Sequence, residues 1–245
     1  EAVRNFDLDH VSYSHSAGLI ELRKGLVEKY YSRIGIDIEV PDLIITVAGS
    51  ESVNLALAIA CDEGDEIIVL EPFYTNYNTF AFMNGITLKS VSTDIRDGFQ
   101  VPSMDEFEKA ITDRTKAILV CNPGNPTGTL YSKESMLALG DIARRHDLFL
   151  ISDEVYREFC YTDEPHFSAM NIPDLEDNVI LIDSVSKRYN LCGARVGCIV
   201  SKNKEVMNAA MKYAQSRLCP PVIGQIAAIG ALDTPDEYFK AVREE

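Results

Sequence analysis

The chain has 245 residues, 46% of them hydrophobic and 25% charged, with a formal net charge of -15 at pH 7. That length buries a substantial core, as one large domain or two small ones, and the composition excludes a disordered chain. The acidic excess disfavours nucleic acid and anionic membrane as partners, and no stretch approaches the ~20 apolar residues that a bilayer span requires.

In chain order, strand-like and helix-like segments alternate. Ile44 to Val47 reads as a strand, and Ser50 is placed to N-cap the helix that follows. Val53, Leu57 and Cys61 share one face of that helix, and Gly64 ends it. Strands are expected at Glu66 to Glu71 and Thr87 to Ser92, with turn chemistry around Pro72 between them. Ser103 and Glu106 have the spacing of a capping box and open a short helix through Ala110. Lys116 to Cys121 is an apolar strand that runs into a Pro/Gly-rich turn, Asn122 to Gly128. A helix from Ser132 to about Asp147 and a strand from Leu148 to Ser152 come next. Val179 to Asp183 and Ala194 to Val200 are two further strands, and Lys202 to Arg217 is a long helix. Pro220-Pro221 breaks it, and a last helix runs through Ala231. There is no internal repeat. Such alternation specifies an α/β fold, a three-layer α/β/α arrangement with a mostly parallel central sheet.

Cys61, Cys121, Cys160, Cys192, Cys198 and Cys219 lack metal-ligand spacing, and several lie in apolar runs. With no visible signal peptide, a reducing cytoplasm is the expected compartment. His10, His15, His146 and His166 show no metal-like spacing either, so no metal is expected. Gly193 to Gly197 lacks the nucleotide-binding pattern of a P-loop or a dinucleotide fold.

Three strands end in polar residues: Asn122 to Asn125, Asp153, and Ser184 to Lys187. Open α/β sheets bind ligands at the carboxyl ends of their strands, so these residues are expected at one edge. Lys187 follows a buried strand and two serines, with Arg195 eight residues on. An amine that binds a carbonyl must lose its proton, which partial desolvation and nearby positive charge assist. Arg195 can grip a phosphate bidentately, and Ser184 and Ser186 can donate hydroxyls to it. Asp153 ends the apolar run Leu148 to Ser152, where a carboxylate is costly unless paired. It is either a cap for the next helix or the partner of a protonated ring nitrogen. Asn125 and Tyr156 can both reach a phenolic oxygen, and Tyr74 can stack on a flat heterocycle. Gly49-Ser50-Glu51 opens a helix whose N–H groups suit an anion. A Schiff-base lysine, an acidic nitrogen partner and an anion cradle are the parts of a pyridoxal 5'-phosphate site.

These segments, together with Tyr13 to Gly18 and Leu22-Arg23, resemble the class I/II aminotransferases among the fold-type I pyridoxal phosphate enzymes. Ser184 to Gly197 is most similar to aspartate aminotransferase-like members. The resemblance implies that Lys187 is the catalytic lysine, forming the Schiff base and moving the substrate proton. It implies that Asp153 partners the pyridine nitrogen, that Asn125 and Tyr156 serve the phenolic oxygen, and that Tyr74 stacks on the ring. Ser184, Ser186, Arg195 and the Gly49-Ser50-Glu51 helix start are implied to hold the phosphate. Tyr13 resembles a tyrosine that reaches the neighbouring subunit's phosphate, which implies a homodimer with shared sites. Amino acids and 2-oxo acids are the implied substrates.

Members of the family run to nearly 400 residues, with a small domain built from both termini that carries a substrate-carboxylate arginine. That domain has no counterpart here, and the chain starts at Glu1 without methionine and stops within a charged, helix-like segment. The expectation is a cofactor-binding large domain covering residues 1–245, with the small domain largely absent. A lyase or decarboxylase of the same fold would share every cofactor contact. An aminotransferase-like regulatory sensor or an inert folded fragment would carry the same segments too.

Overall fold

The computed structural model describes residues 1–6 and 10–244. Among these the α-helices are α1 (Ile20–Gly25), α2 (Ala48–Ala60), α3 (Asn76–Met83), α4 (Met104–Ala110), α5 (Lys133–Arg145), α6 (Val185–Arg188), α7 (Lys204–Ser216), α8 (Val222–Ala231) and α9 (Asp236–Glu244). The strands are β1 (Leu43–Thr46), β2 (Glu66–Glu71), β3 (Thr87–Ser92), β4 (Thr115–Cys121), β5 (Phe149–Asp153), β6 (Val179–Ser184) and β7 (Gly197–Val200). The class is α/β with mostly parallel strand pairing. The chain divides into two compact units, Val53–Leu181 and Glu1–Ser52 with Ile182–Glu245, and α2 and β6 each run from one into the other.

In the unit Val53–Leu181, β5, β4, β2 and β3 are successive neighbours, and all three pairings are parallel. Parallel neighbours need crossovers, which α3, α4 and α5 provide. Because helices cover such sheets, their central strands read as near-continuous apolar runs, and Ile67, Ile68, Val69, Ile118, Leu119, Leu150 and Ile151 are all buried. Helix α5 turns Met136, Leu139, Ile142 and Ala143 inward at helical spacing. The register pairs Cys121 with Asp153, so β4 and β5 end level, and Asn122 N donates to Asp153 O at 3.0 Å. Two loops therefore leave this edge side by side.

In the other unit, β1 pairs antiparallel with β7, from Leu43 opposite Val200 to Thr46 opposite Gly197. Helix α7 packs on β1, with Val206, Met207, Ala210 and Ala214 buried. Gly197 begins β7 where a Cβ would lie 2.7 Å from Gly49 N and 2.8 Å from Asp183 O. The absent side chain lets three backbones meet: the start of α2, the end of β6 and the start of β7.

The boundaries of β2 and β3 agree with the sequence expectations, but several others differ. Helix α2 begins at Ala48, so Ser50 lies inside its first turn instead of capping it. The carboxylate of Glu51 accepts Val47 N and takes over the capping role. The helix ends at Ala60, leaving Gly64 in the turn before β2 at φ +92°. Ser103 stands at the N-cap of α4 without a side-chain hydrogen bond; Glu106 N donates to its carbonyl instead, and the Glu106 carboxylate pairs with Lys109. The segment expected as a strand from Ala194 starts only at Gly197, since Arg195 is left-handed at φ 54°.

Candidate active site

At the carboxyl end of β5, Asp153 is 6% exposed. Its Oδ2 accepts the Tyr77 hydroxyl at 2.7 Å, and Oδ1 accepts Val155 N at 3.3 Å. The backbone contact is a local cap of the turn that follows β5, and the carboxylate has a strong buried donor. Burial first, then the Asp153 charge, push the Tyr77 phenol well above its ordinary range, so it stays protonated and donates. Tyr74 is half-buried and meets the Tyr77 ring edge-on at 5.5 Å. On the neighbouring loop, Asn125 Nδ2 donates to the Tyr156 hydroxyl at 3.2 Å. This pair, inferred from residues 31 apart, is brought together. Burial also raises the Tyr156 pKa, and it holds the Cys121 thiol beneath the loop protonated.

In the unit that contains β1 and β7, β6 delivers its chain into α6. The Ser184 hydroxyl accepts Ser186 N at 3.1 Å and donates to Val196 O at 3.0 Å, and it lies 2.8 Å from Ser186 Oγ. Lys187 follows and is exposed, while Val185 and Arg188 fill the buried side of this four-residue helix. Arg195 is exposed too, and its Nη1 donates to Cys192 O at 2.9 Å. The first-turn N–H groups of α2 have no partner within the helix. Gly49, Ser50 and Glu51 therefore offer backbone donors beside the end of β6, through the close approach that Gly197 permits. The Glu51 side chain takes no part in that cradle. It is held by Val47 N and by Arg217 Nε at 2.7 Å.

Tyr13 is 78% exposed and lines an open groove of about 670 Å³ with Cys219, Pro220 and Val222. Two residues next to the candidate set went unrecognised in the sequence. Tyr77 carries the donor to Asp153, and the spacing Phe73, Tyr74, Tyr77 on one short segment is the signal that pointed to it. Arg188, 2% exposed, forms an ion pair with Asp183 directly beside Lys187; its position after a lysine reads as an ordinary surface charge. Among the described residues no group of His, Cys, Asp and Glu could hold a metal ion, and no helix is long and apolar enough to cross a membrane.

Chemically, the unit with β1 and β7 carries backbone N–H groups at the start of α2, the hydroxyls of Ser184 and Ser186, the exposed Arg195 guanidinium and the exposed Lys187 amine. The unit Val53–Leu181 supplies a buried carboxylate and a phenol–amide pair. Residues 9–245 match the family model for aminotransferase class I and II. The aspartate aminotransferase of Thermotoga maritima is 32% identical over 98% of this chain and 63% of that protein. The aspartate/prephenate aminotransferase of Thermus thermophilus is 35% identical over 95% of this chain and 59% of its own length. The crystal structure of the Thermotoga maritima enzyme superposes with a TM-score of 0.92, covering 99% of this chain and 64% of that one. An alanine aminotransferase structure from Pyrococcus furiosus, 36% identical, gives 0.88, covering 96% of this chain and 61% of that one. The chain spans less than two thirds of the length of each of these relatives. It belongs to the class I and II aminotransferases.

Proposed function

We propose that the protein is a pyridoxal 5'-phosphate-dependent aminotransferase, exchanging an amino group between an amino acid and a 2-oxo acid, and that residues 1–245 form its cofactor-binding large domain. The observation that carries this is the pairing of Asn125 with Tyr156 beside a buried Asp153, found together in a chain of this family. The donor set suits the cofactor. The helix start at Gly49, Ser50 and Glu51, the hydroxyls of Ser184 and Ser186, and Arg195 would hold its phosphate. Asp153 would face its ring nitrogen, Asn125 and Tyr156 its phenolic oxygen, and Tyr74 its ring. When bound, the cofactor supplies an electron sink for the bond broken at the substrate α-carbon.

The chain's own residues do the rest. Lys187 would hold the cofactor's carbonyl carbon through Nζ, with loss of water, and once displaced by the substrate amine its free Nζ would take the α-proton. The Tyr77 hydroxyl donates to Asp153, a contact that favours the charged form of the carboxylate. That carboxylate would favour the protonated form of the cofactor's ring nitrogen. The exposed Tyr13 supports a homodimer in which it serves the neighbouring subunit's phosphate. Six cysteines, all held as thiols, support a cytoplasmic setting.

The test is borohydride trapping in the full-length protein loaded with pyridoxal phosphate, followed by peptide mapping. An adduct on Lys187, lost in Lys187→Ala, is expected. Trapping elsewhere, or an unchanged visible spectrum in Lys187→Ala, overturns the assignment. Asp153→Ala is expected to fold and bind yet lose nearly all turnover, so near-parental turnover removes Asp153 from its role. Product analysis with an oxo-acid acceptor separates transamination from lyase chemistry, which releases ammonia without one.

A further inference from the structure

Tyr156 is the third residue of a four-residue turn, Glu154 to Arg157, closed by Arg157 N donating to Glu154 O at 3.1 Å. The side chains of the two end residues close the same turn a second time. Arg157 Nε donates to Glu154 Oε2 at 3.1 Å, with Nη2 on the same oxygen. Glu154 is 0% exposed and Arg157 7%. The other carboxylate oxygen, Oε1, accepts Ser152 Oγ at 3.1 Å, Ser168 Oγ at 2.9 Å and Ala169 N at 2.9 Å. One carboxylate therefore ties the turn back to β5 and forward to the far end of the loop. His166 lies 3.8 Å from Glu154 Oε2, and its Nε2 stands 3.1 Å from Asn122 O, at the start of the loop that carries Asn125. Both members of the Asn125–Tyr156 pair are thus on segments fastened around Glu154.

A buried ion pair of this kind adds little stability over apolar residues of the same volume, since desolvation offsets the attraction. What it supplies is a fixed geometry. We propose that the Glu154–Arg157 pair is a positioning device for Tyr156, holding its hydroxyl where it meets Asn125 and the cofactor's phenolic oxygen. This rests on the role given to Tyr156 above. Neither Glu154 nor Arg157 touches the reacting atoms; both act through the tyrosine. Among the groups that face the Tyr156 hydroxyl are Cys121, Asp153 and Tyr74, with Asn125 donating to it, and replacing Glu154 or Arg157 removes none of these.

The experiment is a pH titration of the visible absorbance of the full-length protein loaded with pyridoxal phosphate. A hydroxyl donated to an anionic oxygen favours the charged form, so its loss makes the oxygen more basic and moves the midpoint up. Tyr156→Phe is expected to raise the midpoint by about one pH unit, roughly tenfold in proton affinity. Glu154→Gln is expected to raise it comparably, and Glu154→Gln with Tyr156→Phe to raise it no further than Tyr156→Phe alone. Glu154→Gln takes the counter-charge away from a buried arginine. Glu154→Gln/Arg157→Met removes both charges and is expected to give the same rise while keeping the native circular dichroism spectrum. A parental midpoint in that folded double variant, with Tyr156→Phe shifted, overturns the positioning role alone. A parental midpoint in Tyr156→Phe overturns the role of the tyrosine, and the positioning role with it.

Discussion

A carboxylate taken out of water is tolerated only when donors replace the lost hydration. Asp153 meets that demand with the Tyr77 hydroxyl at 2.7 Å, and the tyrosine is itself only 1% exposed. A hydrogen bond to a charged group contributes about 1.5–3 kcal/mol, so Tyr77→Phe is expected to lose about that much in urea unfolding. The ring stays packed against Phe73, centroids 6.3 Å apart, and Tyr74, so little else changes. A loss below about 0.5 kcal/mol, the range of neutral surface changes, would show that the carboxylate does not depend on this phenol. Most of the candidate residues were legible as residue types at strand ends, as with Asp153 and Asn125. What a sequence does not display is which of two neighbouring aromatics turns inward. Tyr74 offered itself as a ring, whereas Tyr77 became the buried donor because α3 starts between them and directs it at β5. The side-chain partners of Glu51 were hidden for a related reason. Its carboxylate is used up by Val47 N and Arg217, a partner 166 residues away.

A helix of four residues has no stability of its own, because nucleation is never repaid by elongation. Helix α6, which carries Lys187, is held from outside. Ser184 caps it, and Arg188 anchors its end to Asp183 of β6 at 2.6 Å while lying 3.5 Å from the centroid of the Tyr30 ring. Asp183 also accepts the Tyr31 hydroxyl at 2.8 Å. Burial is the largest single influence and lowers the Arg188 pKa, but the charge and hydrogen bond of Asp183, with the Tyr30 and Tyr189 phenols, together outweigh it, and the net shift is upward. Arg188→Met takes the counter-charge from a carboxylate that is 1% exposed and is expected to cost about 3–5 kcal/mol in urea unfolding. Asp183→Asn/Arg188→Met removes both charges and is expected to lose clearly less. Equal losses in the two proteins would mean that packing, not charge pairing, fixes the element. Elements with a strong apolar period, such as β2, β4 and α5, were readable in the sequence. Helix α3 was not, because it buries only Tyr77 and Ala81 and leaves Phe82 85% and Met83 65% exposed, so no apolar stripe marks it. The Ala194 to Val200 run looked like one strand because its residues are apolar enough; the left-handed Arg195 that shortens it has no signature in composition.

For the molecule as a whole, a formal charge of -15 means that acidification first relieves self-repulsion and only later removes favourable carboxylate contacts. Those two trends overlap in any single titration, so one well-defined carboxylate is needed to separate them. Glu66 serves. It is 2% exposed, accepts Thr112 Oγ1 at 2.6 Å and Arg114 Nη2 at 2.6 Å, and lies 3.4 Å from Lys89 Nζ. The Thr112 hydroxyl first, then Arg114, lower its pKa from 4.5 to about 2 against the opposing effect of burial. A carboxylate with a depressed folded pKa binds protons more readily in the unfolded chain. Its contribution is therefore complete above 4.5 and fades as the pH falls from 4.5 towards about 2. Glu66→Gln shares the global charge repulsion of the parent apart from one unit, so comparing the two proteins cancels the common trend. Urea unfolding is expected to find the variant less stable at pH 7, with the gap narrowing steadily between 4.5 and about 2. A gap that stays constant across that window would mean that Glu66 is held by shape alone, and that acid sensitivity arises from the remaining carboxylates together.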